Sequence, residues 1–187
     1  DGVQMMLTNL YDCGKIGPWS LQSSWDKNTM GGGKTDIFNP CLNLLAGSTP
    51  SSLLKAIGDN GIEGGFASRV LFIVQRERAG KAIGWVNAEE SKHDEMSNLL
   101  VQDLRSINAL KGAFQVDKTW APVFEKYQIE FDDLAARGGQ MKSYYARKLW
   151  HCLKLAQVLA VDQSDSLILT GEHLESAKEH LDEIEPD

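Results

Sequence analysis

The chain has 187 residues, 42% of them hydrophobic, and a net charge of −7. That apolar share suffices for a packed core, and no run of 18 apolar residues points to a membrane span. Residues 1–83 are near neutral, with 7 acidic and 8 basic side chains, whereas residues 84–187 carry 19 and 11, which argues against a broad nucleic-acid surface on the second half but not against a local basic groove.

The chain opens on Asp1 rather than methionine, which reads as a processed fragment or a trimmed chain. No basic leader followed by an apolar stretch marks a secretory signal. Cys13, Cys41 and Cys152 are odd in number and form no CxxC pair, as expected of a reducing, cytoplasmic compartment. Among the four histidines, His173 and His180 share a helix face, but no zinc spacing is present.

In chain order, residues 3–12 contain a helix end. Gly14 to Asp36 reads as a long loop or hairpin. Cys41 to Ala46 is a short apolar run that predicts a buried strand. Gly47 and Ser48 stop it, and Thr49 with Pro50 opens a helix through about Ile57. Gly58, Gly61, Gly64 and Gly65 break the chain before Val70–Val74, a second run of β-branched and aromatic residues. Two such runs around one helix predict part of a parallel sheet. Ser48 and Thr49 would then lie at the carboxyl end of its first strand, where open α/β sheets place ligands.

Residues 76–88 read as a charged linker, so the expected domains are 1–83 and 84–187. The second is read as about four helices. The first covers 89–109, with Met96, Leu99, Leu100, Leu104 and Ile107 on one stripe. The second covers 118–136 and is capped by Asp117, with its stripe running from Trp120 to Leu134. The third covers 140–161, with Leu149, Leu153, Ala156, Leu159 and Ala160 facing inward. Leu167 to Leu169 is a brief extended segment. Thr170 caps the fourth helix, which runs to about Glu185 with Leu174, Ala177, Leu181 and Ile184 on its core side.

Three patterns carry chemistry. Gly31 to Thr35 (GGGKT) ends like a phosphate-binding loop, with Lys34 and Thr35 as candidate nucleotide contacts. The residue five before the glycine-lysine pair is Asn28 instead of glycine, and no apolar strand precedes the motif. A flexible basic glycine loop explains it more simply. Arg69 follows a double-glycine turn and suits phosphate recognition, as an arginine finger or as a salt-bridged strand end. Tyr144 to Ala156 sets Arg147, Lys148 and Lys154 in an apolar helix, with Arg147 and Lys154 on one face; a solvated edge is the plainer reading. Ser48 and Ser68 lack the G-x-S-x-G context of a nucleophile elbow.

The blocks NPCLNLLAGSTPSSLL, GGFASRVLFIV and YYARKLWHCLKLAQVLAV, with a final LTGEHLESAKEHL, resemble in that order the carboxyl-terminal part of phage and mobile-element primase/helicase-type ATPases. The resemblance spans about Leu7 to Glu185. The last block also resembles the lid of minichromosome-maintenance helicases. It implies α/β followed by all-α: the second half of a RecA/AAA+-like core, then a helical bundle or lid. Ser48 and Thr49 match its strand-end sensor, Arg69 the finger offered to a neighbouring subunit, and Arg147 the lid sensor. The family's phosphate loop and magnesium-binding acidic strand would lie before Asp1. The chain would then be a non-catalytic piece of a bacteriophage-type DNA-replication ATPase. ATP and Mg would act in the full-length protein, with DNA as partner and a homo-oligomer as assembly. A helical protein-interaction module without enzymatic activity is the alternative, and nucleotide binding through GGGKT a further one.

Overall fold

The structure is a computed structural model that describes residues 7–8, 11, 23–27, 33–37, 43–63, 65–74, 90–139 and 141–185, with 23–27, 33–37, 59–63 and 90–93 described by backbone alone. The chain divides into two compact units, Asp1–Leu71 and Phe72–Asp187.

In the first unit, Leu7, Thr8 and Tyr11 are helical. β1 (Ser23–Lys27) pairs antiparallel with β2 (Gly33–Ile37), in a register running from Ser23 opposite Ile37 to Lys27 opposite Gly33. Of the two readings for Gly14 to Asp36, the hairpin is the one present. Gly33, Lys34 and Thr35 are ladder residues of β2, and Gly31 and Gly32 lie outside the described residues. Helix α1 (Pro50–Glu63) begins where proline and its threonine cap place it. It is broken at Gly58, whose φ of +54° only glycine adopts without strain. A single 3-10 turn, Ala67–Arg69, follows.

The expected α/β half-core is overturned: the described chain is mostly helical, and a RecA-like parallel sheet is not present in it. Asn43 to Ala46, the described part of the first expected strand, joins no ladder, with Leu45 fully exposed and Leu44 largely so. Cys41 and Leu42 lie outside the described residues. Val70 to Val74 also joins no ladder, and Ile73 is 77% exposed. The physical reason is that β-branched composition favours a strand only where partner strands and covering layers exist. The described strands of the first unit are polar and antiparallel, and neither apolar run joins them. The parallel pair that does form lies in the second unit and spans two residues a side.

The second unit contains α2 (Glu90–Ala109), β3 (Gln115–Val116), α3 (Trp120–Ala136), α4 (Lys142–Ser164), β4 (Ile168–Leu169) and α5 (Gly171–Ile184). α3, α4 and α5 pack on one another around Phe131, Cys152, Ala156, Leu174, Ala177 and Leu181. Small residues on α4 and α5 let the three helices approach closely, and Phe131 fills the space between them. Tyr127 stacks on Phe131 with 5.9 Å between ring centroids.

The short parallel pair clips the two ends of this bundle together. Gln115 N donates to Leu167 O at 2.8 Å, and Asp117 N donates to Leu169 O at 3.0 Å. Asp117 Oδ1 accepts from the backbone and hydroxyl of Thr119, at 2.8 and 2.6 Å. These bonds, the hydroxyl one foremost, hold the Asp117 carboxyl below the usual carboxylate range. Asp117 thus shapes the turn before α3 but is not its cap as expected: the capping position is Thr119, whose side chain caps no helix donor. The expected bundle of about four helices is a core of three. α2 contributes no side chain to the buried cluster, and its stripe faces outward instead of inward. No helix among the described residues is long and apolar enough to cross a membrane.

Candidate functional site

The sequence-predicted residues are spread over both units. Ser48 is exposed, and its hydroxyl donates to the carbonyl of Thr49 at 3.3 Å. Thr49 caps α1: its Oγ1 accepts from Ser52 N at 3.3 Å and donates to Ser52 Oγ at 2.9 Å. With no strand before it, this is a helix entry and not a strand end. Arg69 closes the 3-10 turn and donates from Nη1 to the carbonyl of Gly65 at 2.7 Å. Ser68 Oγ donates to the same carbonyl at 2.8 Å. The guanidinium is thus drawn back onto its own turn, a job the local sequence GGFASR arranges with Gly65 at φ +74°. Lys34 pairs with Asp26 and Thr35 with Trp25 in the β1–β2 register. Arg147 lies on α4 in the other unit, half-buried.

A different cluster is built at the junction of α3, α4 and α5. Lys148 is 2% exposed, on the inner face of α4. Its ammonium donates to Asp182 Oδ1 at 2.6 Å and pairs with Glu185 Oε1. Aromatic rings flank it, with Phe131 and Tyr145 centroids 5.3 and 5.9 Å away. Tyr144 donates from its hydroxyl to Glu185 Oε1 at 2.9 Å and stacks on the buried His151 at 5.9 Å. Lys178 bridges Asp182 at 2.6 Å and Glu130 at 3.3 Å, so one carboxylate on α5 serves lysines from two helices.

The electrostatics follow from this pairing. Burial favours the neutral form of Asp182, but hydrogen bonds from Lys148 and Lys178 outweigh it and hold the carboxyl below its ordinary value. Burial and the bond to Glu185 push the Tyr144 phenol well above its usual range. Burial likewise raises the Cys152 thiol, to about 12. That thiol is fully enclosed and protonated at neutral pH, which is the opposite of a nucleophile's environment. Every fully buried side-chain polar atom among the described residues has a hydrogen-bond partner. None of their histidine, cysteine and acidic side chains form a group of three able to hold a metal. The cluster therefore acts as a clasp fixing α5 on α4. Sequence reading singled out Lys148 as a cation in an apolar helix. Its partners 34 and 37 residues away carry no local signal.

Unlike the clasp, the face of α2 has no structural role in the fold among the described residues. Met96, Leu99, Leu100 and Leu104 are each more than half exposed. With the half-buried Ile107 they form one stripe along a helix of 20 residues. One charged side chain, Asp103, falls inside the stripe between Leu99 and Ile107, because seven residues return nearly to the same angle. A stripe of this kind is the signature of a helix packed against something apolar, and among the described residues it is not satisfied within the bundle.

No family model matches the chain, and no curated protein or solved structure matches it. The resemblance to primase/helicase-type ATPases is neither supported nor opposed by these comparisons.

Proposed function

We propose that the second unit of this chain is a helical protein-interaction module. The observation that carries the reading is the exposed stripe of α2, Met96 to Ile107, beside a bundle whose own core is already closed. Large apolar side chains lose roughly 1.5–3 kcal/mol each when left in water rather than buried. A row of them on a long helix marks a surface that docks another protein. The clasp around Lys148 supports the reading from the other side: it commits the buried Lys148 and its carboxylate partners to holding α5 on α4. The replication-ATPase reading draws no support from the geometry, since the half-core that would carry its sensor and finger is not in the described chain and Ser48 and Thr49 stand at a helix entry, not at a strand end.

The test is a photo-crosslinking amino acid placed at Leu100 or at Arg105, on opposite faces of α2, in the full chain expressed in its native host. A discrete protein adduct is expected from position 100 and not from position 105. Absence of any adduct from position 100, or equal adducts from both positions, overturns the reading.

A further inference from the structure

We infer that the occupant of the α2 stripe is a second copy of this chain, received by the outer face of α4; this rests on the interaction-module reading. The outer face of α4 presents Arg147, Trp150, Lys154 and Val158, with Trp150 and Val158 each more than 60% exposed. These residues follow one another at spacings of three and four, so they form a continuous row. They lie opposite the α4 face that packs on α3 and α5.

The two rows match in length and in charge. Met96 to Ile107 and Arg147 to Val158 both span twelve residues, about 16 Å of helix from end to end. The charge inside the α2 row is the acidic Asp103, seven residues from its start. The charges on the α4 row are basic, and Lys154 is also seven residues from its start. Laid side by side in the same direction, Asp103 falls level with Lys154. Laid in opposite directions, it falls between Arg147 and Lys154, within reach of either long side chain. The half of the chain that carries −8 overall sets two of its 11 basic side chains on this one α4 face. Packing α2 on the α2 of another copy would set Asp103 against Asp103 in parallel register, which like-charge repulsion disfavours, and against Leu100 in antiparallel register, where the carboxylate would be covered with no cation to meet it. One copy's α2 on the other's α4, and the reverse, gives a closed two-fold assembly.

The experiment is the oligomeric state of the full chain by light scattering and sedimentation, over a hundredfold range of concentration. A concentration-dependent dimer is expected. Asp103→Lys and Lys154→Asp should each weaken dimerisation at least tenfold, and combining them should restore it to within about threefold, because charges that meet do not act additively. Repeating the Lys154→Asp series with Arg147→Asp covers the opposite direction. A monomer at every concentration overturns the inference, as does a dimer indifferent to all of these charge changes. The crosslink at position 100 separates the two failures. An adduct with a different protein overturns the second-copy inference and leaves the interaction module standing, whereas no adduct at all removes both.

Discussion

Helices α2 and α5 carry apolar rows of comparable regularity, yet they end in opposite situations. On α5, Leu174, Ala177 and Leu181 are 0–1% exposed. On α2, Met96 is 70% exposed. The difference lies outside the rows themselves. α5 is tied at its start to α3, where Gly171 N donates to Thr119 Oγ1 at 2.8 Å, and at its end to α4 through the Lys148 clasp. Periodicity shows that a face exists; long-range ties decide what covers it.

The strongest way to break this comparison is to remove apolar volume from each region. Phe131 is 2% exposed and sits between helices. Phe131→Ala should cost about 3–5 kcal/mol through lost burial and the cavity left behind. Leu100→Ala should change the stability of the dilute chain by less than about 0.5 kcal/mol, as an exposed substitution does. Hydrogen exchange of the α3–α5 amides reads both. A large loss from Leu100→Ala would mean that α2 is part of the folded core after all.

The next effect concerns the clasp. Lys148→Met leaves Asp182 and Glu185 without their buried cation. Removing one partner of a fully buried pair costs roughly 3–5 kcal/mol. The Asp182 side chain is 43% exposed and keeps Lys178, so about 2–4 kcal/mol is expected here. The pH dependence has a defined sign. The Asp182 carboxyl is held low in the folded chain, so its contribution is present above its unfolded value, about 3.9, and is lost as pH falls through the lower folded value. The Tyr144 phenol and the Cys152 thiol are raised, so their contributions are present below their unfolded values and are lost as pH rises through the folded ones. Stability of the second unit should therefore hold between about pH 4 and 9 and fall on both sides. Melting curves across pH check this, with Tyr144→Phe expected to flatten the alkaline limb.

These contrasts also explain what was legible in the sequence. The helices of the second unit, the Thr170 cap and the Leu167–Leu169 segment follow from local signals: apolar spacing, a capping threonine, a short β-branched run. The environment of Lys148 does not, because its carboxylates arrive from α5, which only tertiary packing brings alongside. The failed parallel sheet has the same origin. Val70 to Val74 has the composition of a buried strand, but a strand needs neighbours, and among the described residues this run joins no ladder. Ser48, Thr49, Arg69 and Arg147 were singled out by residue type and order along the chain, which say nothing of distance in space.

A smaller effect is expected at Gly171, where the start of α5 touches α3. A Cβ built there would lie 2.6 Å from the Thr119 carbonyl oxygen and 3.0 Å from Val123 Cγ2. Backbone cannot give way as a side-chain tip can. Gly171→Ala should therefore cost about 1–3 kcal/mol by overpacking, even though alanine is the better helix former. Gly138→Ala is the wrong control, since that glycine has φ +80°. Gly47→Ala meets nothing within 4 Å and should be close to neutral. A harmless Gly171→Ala would show that α5 is not clamped against α3.

The smallest effect isolates the cap. Thr170 Oγ1 accepts from His173 N at 3.3 Å, and His173 Nδ1 accepts from Thr170 N at 3.2 Å, so each residue satisfies a backbone donor of the other. This is the reciprocal capping box with histidine in the place usually held by Glu or Gln. Thr170→Ala should cost about 1 kcal/mol, whereas Thr170→Ser should cost only a few tenths, since the hydroxyl is retained. His173→Gln offers an acceptor at similar reach and should keep most of the box, while His173→Ala should lose it. If all four variants melt together, the start of α5 is held by Gly171 and Thr119 alone, and the tie that distinguishes α5 from α2 is a single contact rather than a cap and a contact acting together.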